Sequence, residues 1–344
     1  MKMMKQMACA ALAAAVAVGI TGCGDKASST GGFQPKVAEG AFAALVARPM
    51  EKTSLAPLCK QYGLSMVDLM KQAPGDAQEI IKDLELDKAE NKWVAVTVDA
   101  LSADQIEKGD PDFAVAIATS VDLDKVVAYA QSKDKQKIDK ATIANVPAYV
   151  LFKGEKPDGY MANLDKQLIL VASTSAGLEK LIALYRDGKG ASAEFGSFAL
   201  GANDIIRLKV AKVGENVKKS MPSPDALQMV NGFVPDGDKI ILGMGAVELA
   251  LGASDDGKNV KLDLSVETAA DADADKLATL AKTGLMALTA QVKEGAEKDA
   301  DAKAAYEALQ AVKIEAKGKV ATLAASTAAD PALKALADKA KELK

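Results

Sequence analysis

The chain has 344 residues, enough for two ordinary domains, and its 43 basic and 47 acidic side chains nearly cancel. That balance excludes the basic face that nucleic-acid binding requires, and only Arg48, Arg186 and Arg207 offer the planar fork suited to phosphate or carboxylate. There is no histidine, which removes imidazole acid–base chemistry and the commonest metal ligand, and aromatics at 4% leave few stacking platforms for sugars or bases.

In chain order, Met1 to Gln6 carries Lys2 and Lys5 with no acid, and Met7 to Ile20 is continuously apolar. This is the charged start and apolar run of a secretory signal peptide, shorter than the roughly 20 residues a membrane span needs. The run closes on Ile20-Thr21-Gly22-Cys23, which resembles the lipobox of bacterial lipoproteins: an aliphatic residue, two small residues and a cysteine. The resemblance covers the leader alone. It implies cleavage between Gly22 and Cys23 and acylation of Cys23, and two or more acyl chains anchor a protein stably to a membrane. Residues 1–22 then form the signal peptide, and residues 23–35, rich in glycine, serine and charge, form the lipidated cysteine and a flexible tether. In enterobacterial lipoproteins an aspartate after the cysteine favours the inner membrane. Gly24 occupies that place here, so the resemblance favours the periplasmic face of the outer membrane.

The body reads as α+β, in two tandem duplicated domains spanning 36–190 and 191–344. The segments "LILVASTSAGLEKLIALY" (Leu168 to Tyr185) and "VATLAASTAADPALKALADKA" (Val320 to Ala340) each read as a strand ending in Ala-Ser-Thr and leading into a helix. Hydroxyls at such junctions cap exposed helix N–H groups. Upstream, "WVAVTVDA" and "FAVAIATS" alternate as strands around a loop holding "GDPD" and precede helical "VDLDKVVAYAQS". In the later half, "KIILGMGAVELALG" and "VKLDLSVET" flank a turn and precede "DADADKLATLAKTGLMALTAQV". A second hairpin is predicted in each half, "AYVLFKG" with "LILVAST" and "VKIEAKG" with "KVATLAAST". The openings match loosely, "FAALVARP" before helical "PLCKQYGLSMVDLMKQ" and "IIRLKVAKV" before "DALQMV". Each half is thus strand-helix followed by ββαββα, a mainly antiparallel sheet with helices covering one face. The alternative is one continuous sheet formed by both halves.

Motifs with chemical content resolve into structural readings. "GASDDGKN" (Gly252 to Asn259) matches a phosphate-binding loop except at Asn259, but it lies between two strands and carries Asp255 and Asp256, so a hairpin turn is predicted. Asp271, Asp273 and Asp275 resemble the start of a calcium loop, yet Lys276 and Lys282 stand where glycine and glutamate belong, and acids suit the first turn of a helix. "SKDK" (Ser132 to Lys135) lacks the partner motifs of serine acyl-transferases, and Glu248 spoils the dinucleotide fingerprint of "GMGAVE". Cys59, in "APLCKQYG", reads as a small core residue, with an intermolecular disulfide as the functional alternative.

Gly22 and Cys23, as cleavage and lipid-attachment positions, are therefore the only site residues the sequence selects; no catalytic residue, metal ligand or cofactor is predicted. The expectation is a non-enzymatic envelope lipoprotein with a binding or structural role, partnered by the membrane and by other envelope proteins. The alternative is a periplasmic carrier of lipid or another apolar ligand.

Overall fold

The computed structural model describes residues 33–71, 75–99, 112–133, 135–196, 198–220, 231, 235–296 and 300–342. The leader, the tether as far as residue 32, Gly22, Cys23 and the segment "DALQMV" lie outside these residues.

Strands β1 (Ala41–Ala47), β2 (Asn91–Asp99), β3 (Phe113–Thr119), β4 (Ile138–Ile143), β5 (Val146–Lys153), β6 (Lys156–Leu164) and β7 (Leu168–Ala172) come from the first half of the chain. The second half supplies β8 (Asp204–Ala211), β9 (Ala246–Ala253), β10 (Asn259–Glu267), β11 (Lys313–Lys317) and β12 (Val320–Ala328). All twelve join one sheet in the order β11-β12-β10-β9-β8-β1-β2-β3-β7-β6-β5-β4. Neighbours pair antiparallel throughout. The two halves meet where β1 pairs with β8, so the body is one continuous sheet rather than two.

The helices are α1 (Ala56–Tyr62), α2 (Met66–Lys71), α3 (Gly75–Asp83), α4 (Leu123–Lys133), α5 (Ser175–Asp187), α6 (Val213–Ser220), α7 (Gly237–Leu242), α8 (Asp271–Ala296), α9 (Ala300–Gln310) and α10 (Ala329–Glu342). Gly63, in the left-handed region at φ 65°, ends α1 and divides the helical stretch expected after β1.

The back of the first-half strands carries the hydrophobic cluster that receives α5. Ala95, Ala116, Leu170, Ala162 and Ala148 are successive cross-strand partners from β2 to β5. This row of four alanines and one leucine admits α5, whose Leu178, Leu181, Ile182, Leu184 and Tyr185 are all buried in the same cluster. Thr174 starts α5 as expected of a hydroxyl at a strand-to-helix junction, its Oγ1 accepting the Gly177 N–H at 3.0 Å. On the opposite, front face of the same strands, α4 buries Leu123 and Val127 against Ile138, Met161 and Ile169. Helices therefore cover both faces, not one: strand residues are apolar in both alternating sets here, and each set needs its own cover.

Other expectations also change. The strand from Ala148 to Gly154 does not pair with that from Leu168 to Thr174, because β6 lies between them. "KPDGYMANL" hid that strand by opening with charge, proline and glycine. Lys239 to Leu242 belongs to helix α7 instead of the strand before β9, since a short apolar run has no period that separates helix from strand. Ala325, Ser326 and Thr327 lie inside β12, paired to Leu262, Lys261 and Val260, so this triplet is not a junction.

Candidate functional site

The front face changes character beyond the reach of α4. Across β12, β10, β9, β8, β1 and β2 the register aligns three rows of side chains. The middle row runs Leu323, Leu264, Leu249, Leu208, Leu45, Val96. One flanking row runs Ala325, Leu262, Leu251, Ile206, Ala47, Val94, and the other Ala321, Val266, Val247, Val210, Ala43, Val98. Every position is aliphatic, so this floor offers neither a charge nor a side-chain hydrogen-bonding group.

The back face of the same second-half strands is the reverse. Lys261, Asp263 and Glu267 of β10 and Lys313, Glu315 and Lys317 of β11 are exposed there. On β8 and β9, Arg207 donates from Nε to Glu248 Oε1 at 2.6 Å and from a terminal nitrogen to the Ala199 carbonyl at 2.8 Å. Arg207 also lies over the Phe198 ring, 5.6 Å from its centroid. The alternation of β10, "NVKLDLSVE", is the pattern of a strand with one wet and one dry side.

The dry side is incompletely covered. Leu208, Leu249, Leu251, Leu262, Leu264 and Leu323 remain only partly buried. They belong to none of the hydrophobic clusters formed among the described residues. Leu45 and Val96 pack with Ala47, Val94 and Val115, a cluster made of strand residues alone.

Helices stand at the borders of this floor. At one side is α4. At the other, α8 runs along β11 and β12, whose buried Ile314 and Ala321 point to the front. At the strand ends near Ile206 and Val260, Leu55 and Cys59 of α1 with the preceding turn pack on Leu333 and Ala337 of α10. Near the opposite ends, α6 packs on α7 where the Gly214 N–H donates to the Met244 carbonyl at 2.9 Å. The arrangement is a trough with an aliphatic floor six strands wide, from β12 to β2, with α4 beyond one side and α8 along the other.

The motifs considered from sequence fall outside the trough floor. Ser254 to Lys258 form the turn between β9 and β10, with Asp256 Oδ1 accepting from Ser254 Oγ at 2.6 Å and from the Lys258 N–H at 3.1 Å. Both hydrogen bonds favour the ionised form and hold the Asp256 carboxyl below its usual range. Asp271 and Asp273 occupy the first turn of α8, and Ser132 lies exposed at the end of α4 with its hydroxyl on the Tyr129 carbonyl. Cys59 is fully buried. Among the described residues no group of histidine, cysteine and acidic side chains is placed to hold a metal ion.

A second concavity, about 420 Å³, lies at the back between Glu39, Glu194, Lys212 and Lys219. The Lys212–Glu194 ion pair lies within it and raises the Lys212 pKa. Two of its charges thus satisfy one another.

The trough was not identified from sequence. The signal was present in the alternation of β10 and, less regularly, of β8 and β9, but the alignment of their leucines depends on register. No helix among the described residues is long and apolar enough to cross a membrane. No family model, curated protein or solved structure matches the chain.

Proposed function

We propose that this chain is a cell-envelope lipoprotein, anchored through Cys23 after cleavage at Gly22, whose non-enzymatic task is to bind an apolar ligand in the trough. The observation that carries the binding role is the row Leu323, Leu264, Leu249, Leu208 and Leu45, five partly buried leucines on adjacent strands. Contiguous apolar side chains left partly open on one face of a sheet are a mark of a binding surface. Between the two readings of the sequence, the carrier of an apolar ligand is favoured over an unspecified binding or structural role. The anchor places the protein at the membrane, on the outer-membrane side by the resemblance of its leader, where apolar ligands are supplied.

The same proposal includes a duplication of the body into units 36–190 and 191–344. Its support is the strand order outward from the central seam, β1-β2-β3-β7-β6 in one direction and β8-β9-β10-β12-β11 in the other, with β5 and β4 added to the first.

Two experiments test the reading. Cells fed labelled palmitate should incorporate label into the native chain and not into Cys23→Ser; equal labelling of both overturns the anchor. A fluorescent long-chain fatty acid titrated into the purified protein should bind saturably, and Leu208→Asn with Leu249→Asn should weaken binding at least tenfold while leaving the far-ultraviolet circular dichroism unchanged. Absence of saturable binding to the native protein overturns the carrier reading.

A further inference from the structure

Resting on the trough as a binding site, we infer that its ligand is a hydrocarbon chain held without recognition of its headgroup. Three features of the floor select that class of occupant. From β12 to β2 every side chain in the three rows is aliphatic, so no charge or hydrogen bond is available to a polar group lying on it. The backbone groups of the floor strands are engaged in the ladders on both sides, so an extended peptide laid there finds no partner for its own N–H and C=O groups. The five leucines span four strand intervals, roughly 19 Å at about 4.8 Å each, which is the reach of a long acyl chain.

The border helices argue against a second copy of this chain. Facing sheets pack at about 10 Å, whereas a helix with its side chains is itself about 10–12 Å across. With α4 on one border and α8 on the other, two troughs brought face to face meet rim to rim and hold their floors roughly 20 Å apart. A flexible chain a few ångströms thick enters between the rims and reaches the leucines; a second sheet does not. The polar end of such an amphiphile then stays outside the aliphatic floor, in water.

The chain is thus read by length and not by charge. Burial of each methylene is worth about 0.8 kcal/mol, which is about fourfold in affinity. Displacement of the fluorescent fatty acid from the full protein tests this with fatty acids, the matching fatty alcohols and alkyl trimethylammonium ions from ten to sixteen carbons. Expected are affinities that rise about fourfold per methylene and agree within about threefold among the three headgroups at equal length. A preference above tenfold for one headgroup charge, or affinities flat in chain length, overturns the inference while leaving the trough a binding site. Failure of every amphiphile, and of the label itself, overturns the underlying reading instead. A concentration-dependent dimer in sedimentation that Leu208→Asn dissociates assigns the floor to a second copy and likewise overturns it.

Discussion

The rings of Trp93 and Tyr185 lie stacked, 6.1 Å between centroids and 21° between planes, and join β2 to the last turn of α5. Both are buried, and both hold the segment where the described chain begins. Trp93 Nε1 donates to the Phe33 carbonyl at 2.9 Å. The Tyr185 hydroxyl accepts the Lys36 N–H at 3.0 Å and donates to the Lys36 carbonyl at 3.3 Å. Burial raises the Tyr185 pKa well above the ordinary phenol range.

Trp93→Ala should therefore cost about 3–5 kcal/mol, the usual range for emptying a buried aromatic site. Tyr185→Phe keeps the ring and orphans the two Lys36 groups, for about 1–3 kcal/mol. Urea unfolding followed by circular dichroism measures both. Hydrogen exchange adds a distinction: the Lys36 amide should lose protection in Tyr185→Phe while amides in β6 and β7 keep theirs. Uniform loss across the sheet would contradict a local anchoring role.

The turn between β9 and β10 gives a second prediction. Gly257 has φ +68°, and a Cβ there would stand 2.3 Å from the Ser54 carbonyl oxygen. Ser54 returns a hydrogen bond from its hydroxyl to the Ser254 carbonyl at 2.6 Å. Gly257→Ala combines an unfavourable backbone conformation with a backbone collision and should destabilise by about 2–4 kcal/mol. Gly154→Ala, also at positive φ but in open space, should cost only the conformational part, roughly 1–2 kcal/mol. Equal effects at the two positions would show that the contact with Ser54 is not formed.

These details were legible in unequal measure. The alternation of "WVAVTVD", "FAVAIAT" and "NVKLDLSVE" announces strands because each side chain faces one way or the other with period two. The turn at Asp255 to Lys258 and the acidic start of α8 were likewise local matters. Strand order was not, because β6 enters between β5 and β7 through pairings no short window contains. The trough is less local still. Leu45, Leu208, Leu249, Leu264 and Leu323 are separated by up to 278 residues and become one row only through four registers. Trp93 and Tyr185, 92 positions apart, meet for the same reason.

Acid stability should reflect Glu85. Its carboxylate accepts from Lys125 Nζ at 2.6 Å and Lys88 Nζ at 2.9 Å, linking the turn before β2 to α4. The Lys125 and Lys88 hydrogen bonds, with the two positive charges, lower its pKa from 4.5 to about 2. A depressed folded-state pKa gives a contribution that is complete above the unfolded value and disappears as pH falls through the folded value. Native protein should accordingly lose urea resistance between pH 4.5 and about 2 by more than Glu85→Gln does. Because the group is well exposed, added salt should narrow the gap between the two at pH 7. Parallel acid limbs for the two proteins would contradict the pairing.

Cys59 supplies the last test. It is fully buried among Leu55, Leu64, Leu333 and Ala337, where α1 and its flanking turns pack on α10. A thiol in that position reaches another chain only after α10 lifts from α1, so the buried-core reading excludes a disulfide between folded molecules. In a chain lacking residues 1–22 and carrying Cys23→Ser, Cys59 is the one remaining thiol. Ellman's reagent should modify it slowly in native buffer and completely in denaturant. Leu333→Ala opens a cavity beside it at about 2–5 kcal/mol and should speed the native reaction. Cys59→Ser places a hydroxyl among aliphatic neighbours and should destabilise by about 1–3 kcal/mol, whereas Cys59→Ala costs less because it leaves no polar group to satisfy. Rapid native labelling, or a disulfide-linked dimer formed by folded protein in air, would reverse the assignment and return Cys59 to the surface.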